Sequence, residues 1–224
     1  MSDPIEMSEA RWRYTSRYLR ETFGRPDAQL AGLMKRAVAA GLPDIAVSAD
    51  VGRLLMMLTS MTRGQLAVEL GTLAGYSAIW LARGLRSGGR LITVEPVAQH
   101  ADFAERELSS AGLKNVVEVR RERGLEALAR LRQELPDGAV DVLFVDAIKS
   151  EYPAYFEAAR ALIAPGGLVL ADNALGSSQW WIDDEDHPYR KGADALNRML
   201  ADDPDFEAVG IPIREGLLVA RRVR

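Results

Sequence analysis

From residue 66 onward, short apolar runs alternate with longer stretches of helical periodicity, and that alternation leaves the chain few architectures. Strands are predicted at 66–70, 91–95, 116–120, 140–145 and 167–171. Helices are predicted between them at 76–86, 98–112, 122–134 and 152–163. A helix of this length joining two short strands makes a right-handed crossover, so these strands are expected to lie parallel. The tail breaks the rhythm. Residues 191–202 read as a helix, and 205–213 and 216–222 as two strands joined at Arg214-Glu215-Gly216. Such a hairpin closes the sheet with at least one antiparallel strand. The expected fold is therefore α/β, a mostly parallel seven-stranded sheet with a C-terminal antiparallel hairpin. Ahead of it, 8–23, 27–40 and 49–61 read as helices placed to cover the top or an edge of the first strand. A single domain is expected over 1–224, with a helical arm at 1–62 and the α/β core at 63–224.

The first strand, turn and helix carry the most chemical information. Leu66 to Leu70 is apolar except for Glu69, and Gly71 and Gly75 bracket a tight turn before Ser77-Ala78-Ile79-Trp80. Glycine lets the backbone turn sharply and lets a ligand approach the main chain, where a helix start offers unpaired N–H groups. The spacing is neither that of a phosphate loop nor Gly-x-Gly-x-x-Gly. A carboxylate at the strand end suits a ligand bearing an ammonium or another positive group. An ordinary strand–turn–helix junction would carry the same pattern.

Composition narrows the partners. The net charge of −4 speaks against a polyanion, so nucleic acid is not the expected partner. Arg120, Arg121 and Arg123 could meet an RNA backbone, but they read first as a solvated basic turn. The chain contains no cysteine, which excludes disulfides, thiolate zinc sites and a cysteine nucleophile and is compatible with the cytoplasm, the expected location. The N-terminus lacks a signal-peptide signature, and no apolar run is long enough to span a bilayer, so no membrane partner is expected.

Acids stand at the strand ends. Glu95 follows the second strand, where a carboxylate commonly accepts hydrogen bonds from ribose hydroxyls. Asp146 follows the fourth strand, and Asp172-Asn173 the fifth. Open parallel sheets bind ligands at this edge. Two carboxylates and an amide oxygen are hard ligands that suit Mg²⁺, Mn²⁺ or Ca²⁺. Asp and Asn are also favoured turn residues, so independent loop starts fit the same residues. Lys149, close after Asp146, is a candidate general base beside such an ion, or else a surface lysine. Further on, Trp180 and Trp181 precede the acidic run to His187. That segment reads either as an acidic surface loop or as a flap whose rings cover an aromatic ligand.

Taken in order, four motifs resemble the cation-dependent O-methyltransferases, a family that includes the catechol and caffeoyl-CoA enzymes and their bacterial relatives. They are Val68-Glu69-Leu70-Gly71-Thr72-Leu73-Ala74-Gly75-Tyr76-Ser77, Phe144-Val145-Asp146-Ala147-Ile148-Lys149, Pro165-Gly166-Gly167 and Ala171-Asp172-Asn173. The resemblance spans roughly residues 45 to 222. It implies a Rossmann-like class I methyltransferase fold with S-adenosylmethionine (SAM) as methyl donor. By position it implies that Glu69, Gly71, Thr72 and Ser77, on the turn closed by Gly75, hold the amino-acid part of SAM and its sulfonium region. Glu95 matches the ribose acid, and Val47 lines the cofactor. Gly124 falls where a small residue meets the adenine, although Glu122 replaces a usual glycine. Asp146, Asp172 and Asn173 match the metal ligands, with Asp146 also beside the cofactor and the reacting groups. Lys149 matches the proposed base. The expected acceptor is a hydroxyl of a catechol or other small aromatic molecule. The alternatives are a hydroxylated tRNA base, or SAM binding without catalysis. The substrate-clamping glutamate of the mammalian enzyme has no match in this tail. Bacterial members are commonly homodimers, which is the expected assembly here, with the N-terminal aromatics Trp12, Tyr14, Tyr18 and Phe23 taking part.

Overall fold

The computed structural model describes residues 8–176 and 186–224. Seven strands form one sheet: β1 (Leu66–Leu70), β2 (Arg90–Val94), β3 (Val117–Arg120), β4 (Val140–Val145), β5 (Ile163–Asp172), β6 (Phe206–Ile211) and β7 (Leu217–Arg222). Their order is β3-β2-β1-β4-β5-β7-β6. The first five run parallel, and β7 is antiparallel to both its neighbours, β5 and β6. The predicted hairpin is therefore present, with its second strand inserted beside β5.

Helices cover both faces, which is why β1 and β4 are buried at every position. On one face Ala67, Leu91, Val142, Phe144 and Leu170 pack with α2 (Ala28–Ala39), α3 (Ala49–Ser60), α4 (Tyr76–Gly84) and α5 (Ala98–Ser110). On the other, Val68, Ile92, Leu143 and Val169 pack with α6 (Gly124–Glu134), α7 (Tyr152–Ala159) and α8 (Pro188–Asp202). Adjacent strand residues belong to opposite clusters, as the two-residue period of a strand requires.

The far end of the sheet is stapled by a buried acid. Asp141 accepts from Arg63 Nε at 2.6 Å and from the amides of Gln65 and Leu66 at 2.8 and 3.1 Å. This fixes the start of β1 beside β4 and leaves the opposite strand ends for function.

The N-terminal helices differ from expectation in placement. Rather than capping the first strand, α3 lies on α4. Their approach is so close that a Cβ on Gly52 would sit 2.3 Å from the Trp80 ring. The connection between α2 and α3 then reaches the strand ends. The first predicted helix divides into α1 (Glu9–Leu19) and one wider turn, Arg20–Gly24, and none of the α1 residues is buried. A second difference lies before the fifth strand. The preceding helix ends at Ala159, and β5 already begins at Ile163. The register against β4 shifts between Val140 and Val142. Glycine is needed there, because a Cβ on Gly167 would lie 3.1 Å from the carbonyl oxygens of Val140 and Asp141. Among the described residues, no helix is long and apolar enough to cross a membrane.

Candidate functional site

The ends of β1, β2 and β4 are laced together at Gly71. Its amide donates to Val94 O at 3.0 Å, and the Asp146 amide donates to Leu70 O at 2.9 Å. Gly71 has φ 98°, and a Cβ there would lie 2.2 Å from Asp146 O. Only glycine lets the chain leave β1 against the Asp146 backbone. Beyond this pinch opens a cavity of about 690 Å³. Val47, Gly71, Thr72 and Ser77 line it, as do Glu95, Asp146, Lys149 and Asn173.

Four singled-out residues do not line it: Gly75, Glu69, Gly124 and Asp172. Gly75 takes φ 82° at the start of α4 and faces Ala104 and Leu108, so its part is to turn the chain. Glu69 is fully buried behind the cavity wall. Its Oε2 accepts from the Thr93 hydroxyl at 2.5 Å, and that hydroxyl lies 2.5 Å from the hydroxyl of Thr72. Glu69 thus reaches the cavity through two threonines, while its Oε1 has no hydrogen-bond partner. Burial pushes its pKa up to about 8; the hydroxyls of Ser77 and Thr93 oppose this, and the charges of Asp146 and Glu95 add to it.

Glu95 is aimed by the backbone. It accepts from the Leu73 amide at 2.9 Å and the Val97 amide at 3.0 Å, and His100 Nδ1 lies 3.4 Å from it. Leu73 adopts φ 48°, a left-handed conformation that closes this turn. Gly124 lies on a separate cleft of about 70 Å³. Gly71, Pro96, Ala147 and Ile148 border both spaces, so the cleft adjoins the main cavity. A Cβ on Gly124 would meet the Tyr155 ring at 2.7 Å, which accounts for the small residue. Glu122 lines neither space and pairs with Arg130 at 3.2 Å. The basic turn is neutralised locally: Arg120 pairs with Glu118 and Glu134, Arg121 with Asp102 and Glu105, and Arg123 with Glu151.

The β4–β5 register sets Val145 opposite Ala171, so Asp146 and Asp172 follow side by side. The Tyr152 hydroxyl ties these ends, lying 3.2 Å from Val145 O and 3.1 Å from Asp172 O. Lys149 is buried, and its Nζ donates to Asp146 Oδ1 at 2.6 Å. Asp172 is 2% exposed; its Oδ2 accepts from Arg214 at 3.1 Å, and its Oδ1 has no partner. Burial, and after it the Asp146 charge, push the Asp172 pKa up to about 7, against Arg214 and Lys149. Asn173 follows with φ 57°, a conformation asparagine tolerates. Among the described residues, no three His, Cys, Asp or Glu side chains gather as a metal-binding group. The donor set here is two carboxylates and one amide. Such donors are chemically compatible with a hard divalent ion, and Asp172 Oδ1 is buried with no hydrogen-bond partner.

The sequence reading missed His100, Tyr189 and Arg214 on the cavity wall. Their neighbours in the chain gave no signal, because tertiary packing brings them in: His100 from α5, Tyr189 from α8 and Arg214 from the β6–β7 turn. Trp180 and Trp181, the rings of the expected flap, lie outside the described residues.

Comparison with known proteins gives a consistent result. Residues 21–223 match the family model described as O-methyltransferase. A catechol O-methyltransferase of Niastella koreensis is 35% identical over 208 residues, covering 91% of this chain and 94% of that one. The solved O-methyltransferase of Bacillus cereus, in complex with SAH, superposes with TM-score 0.84 at 32% identity, covering 95% of this chain and 99% of that chain. TomG of Streptomyces achromogenes, an O-methyltransferase involved in tomaymycin synthesis and solved with SAM, gives TM-score 0.83 at 32% identity over 98% of this chain and all (100%) of that one.

Proposed function

This chain belongs to the O-methyltransferase family, and from that premise we propose that it transfers a methyl group from SAM to a hydroxyl of a catechol-like aromatic acceptor with the help of a divalent metal. The observation that carries the reading is the junction at Gly71. There one backbone pinch brings the cofactor wall and Asp146 of the metal set to the same cavity.

The residues present fit a cationic donor. Glu95 is held by two amides with its carboxylate at the cavity, where it can accept from ribose hydroxyls. Glu69 lies behind the Thr72 and Ser77 wall, so its influence on an ammonium would be relayed through the Thr93 and Thr72 hydroxyls. SAM supplies the electrophilic methyl on its sulfonium. Gly124 and Tyr155 mark the adjoining cleft as the place for a flat ring.

Asp146, Asp172 and Asn173 would hold the metal, and Mg²⁺ is the expected ion, with Mn²⁺ or Ca²⁺ as substitutes. When bound, such an ion lowers the pKa of an acceptor hydroxyl and fixes neighbouring oxygens. Lys149, buried at 2.6 Å from Asp146, is the group placed to hold the acceptor's proton at Nζ. Val47, Ile45 and Tyr189 give the cavity an apolar wall against which the acceptor ring would lie. A small aromatic acceptor is preferred over RNA because the three arginines of the basic turn are already paired with acids.

The test is methyl incorporation from SAM into a panel of catechols, flavonoids and tRNA, with Mg²⁺ and with excess chelator. Catechol methylation lost on chelation and restored by Mg²⁺ is expected. Lys149→Ala should lower kcat by about 10²–10⁴-fold with metal still bound. Full activity on the true acceptor in excess chelator would overturn the metal assignment.

A further inference from the structure

Each carboxylate of the metal set already has one oxygen held by a basic side chain. Lys149 Nζ donates to Asp146 Oδ1 at 2.6 Å, and an Arg214 guanidinium nitrogen donates to Asp172 Oδ2 at 3.1 Å. A guanidinium stays charged under all conditions a protein meets. An arriving divalent ion therefore meets a permanent positive charge on Asp172, and that charge can only move away.

The hairpin is built to hold Arg214 there. Arg214 adopts φ 50° in the turn between β6 and β7, a left-handed conformation uncommon outside glycine and asparagine. The turn is docked on the segment after Asn173: the Ala174 amide donates to Gly216 O at 3.0 Å and the Leu175 amide to Glu215 O at 2.9 Å. Gly216 (φ 86°) permits this contact, since a Cβ there would lie 2.7 Å from Leu175. One rigid unit thus carries both Asn173 and the arginine that neutralises Asp172. Arg214 also has a second partner. Its Nε lies 2.7 Å from Glu215 Oε2, and its side chain is 27% exposed on the cavity wall. The guanidinium can leave Asp172 and still keep an acid beside it.

We propose that Arg214 is an internal counter-cation of the metal site. It holds Asp172 while no divalent ion is present, weakens ion binding by competing for that carboxylate, and releases Asp172 while keeping its existing partner Glu215 when the ion enters. This rests on the metal reading given above. Two adjacent buried carboxylates repel each other strongly without a cation, and Arg214 relieves that repulsion in the metal-free protein. The same charge, within a few ångströms of a bound ion, repels it.

The test uses Mn²⁺ alone as the probe, with free ion measured by electron paramagnetic resonance, on the full chain and on Arg214→Gln. The expected result is at least tenfold tighter Mn²⁺ binding by the variant. Its metal-free melting temperature should be lower, and the rise in melting temperature on adding Mn²⁺ larger than in the wild type. Arg214→Lys keeps the charge and should bind close to the wild type. Should Arg214→Gln fail to fold by circular dichroism, Arg214→Gly relaxes the left-handed backbone and carries the same expectation. Equal or weaker Mn²⁺ binding by a folded neutral variant, with clear binding by the wild type, overturns the role of Arg214 and leaves the metal reading standing. Absence of Mn²⁺ binding in the wild type and every variant overturns both.

Discussion

Glu69 lies near the end of β1, fully buried, with its Oε2 on the Thr93 hydroxyl. The carboxylate at the strand end was legible. That it would lie behind the wall, reaching the cavity through Thr93 and Thr72, was not, because those threonines come from another strand and from the turn. Its burial has a measurable consequence. The ordinary value is 4.5, and the folded chain raises it to about 8. Between those values the folded chain keeps a proton that the unfolded chain has released. Ligand-free stability therefore falls as pH rises from about 4.5 to 8 and levels off above. Asp172, raised from 3.8 to about 7, adds a slope of the same sign. Urea midpoints measured across this window should decline in the wild type, and Glu69→Gln should flatten part of the decline; an unaltered slope in the variant would place the proton elsewhere. Glu95 was legible in position, since the end of a second parallel strand is a place fixed by topology. Glu95→Ala should weaken SAH binding by about 1.5–3 kcal/mol, the scale of a hydrogen bond to a charged group. Calorimetry giving the wild-type affinity would remove Glu95 from the site.

At the scale of elements, the central strands were legible because both faces of the sheet are covered and β1 and β4 are apolar but for one acid each, Glu69 and Asp141. The ends were less so. The start of β5 was hidden because Pro165-Gly166-Gly167 reads as a loop, yet it passes through the sheet at a register shift that only a glycine beside the Val140 and Asp141 carbonyls can make. The β6–β7 hairpin was legible as a hairpin, but its reach to Asp172 was not, since that depends on β7 inserting beside β5. The β1–α4 turn is the element on which the site hangs. Gly71→Ala puts a Cβ at 2.2 Å from Asp146 O and forces a side chain into φ 98°. Backbone strain and overpacking together should cost about 2–6 kcal/mol. The expected outcome is a markedly lower urea midpoint, with loss of SAH binding because the ends of β1 and β4 separate. A variant that melts and binds as the wild type does would show that the pinch is not required.

At the scale of the molecule, the arm ahead of the sheet is the part whose stability the single chain does not explain. Helices α2 and α3 are anchored: Leu30, Leu33, Val51 and Leu55 are buried, and Arg36 and Gln29 both donate to the buried carboxylate of Glu107 on α5. Helix α1 is not. Its 11 residues include none that is buried. Tyr14 is 63% exposed, Tyr18 52% and, on the turn that follows, Phe23 54%. An isolated helix shorter than about 12–15 residues is marginal in water, so α1 needs a surface to lie on. Met57 on α3 and Met61 just after it are also exposed, at 46% and 73%. A second copy of the chain would satisfy both arms at once, since a two-fold interface buries the same patch on each side. The expected result is a light-scattering mass about twice the 24.6 kDa of one chain at micromolar concentration. Tyr14→Ser combined with Tyr18→Ser should shift the population towards the monomer and lower the melting temperature in a concentration-dependent way, because stability is then linked to association. The double variant should leave SAH affinity unchanged, as neither tyrosine lines the cavity. A wild-type mass near that of one chain would assign the exposed rings to the monomer surface and remove the arm from any interface.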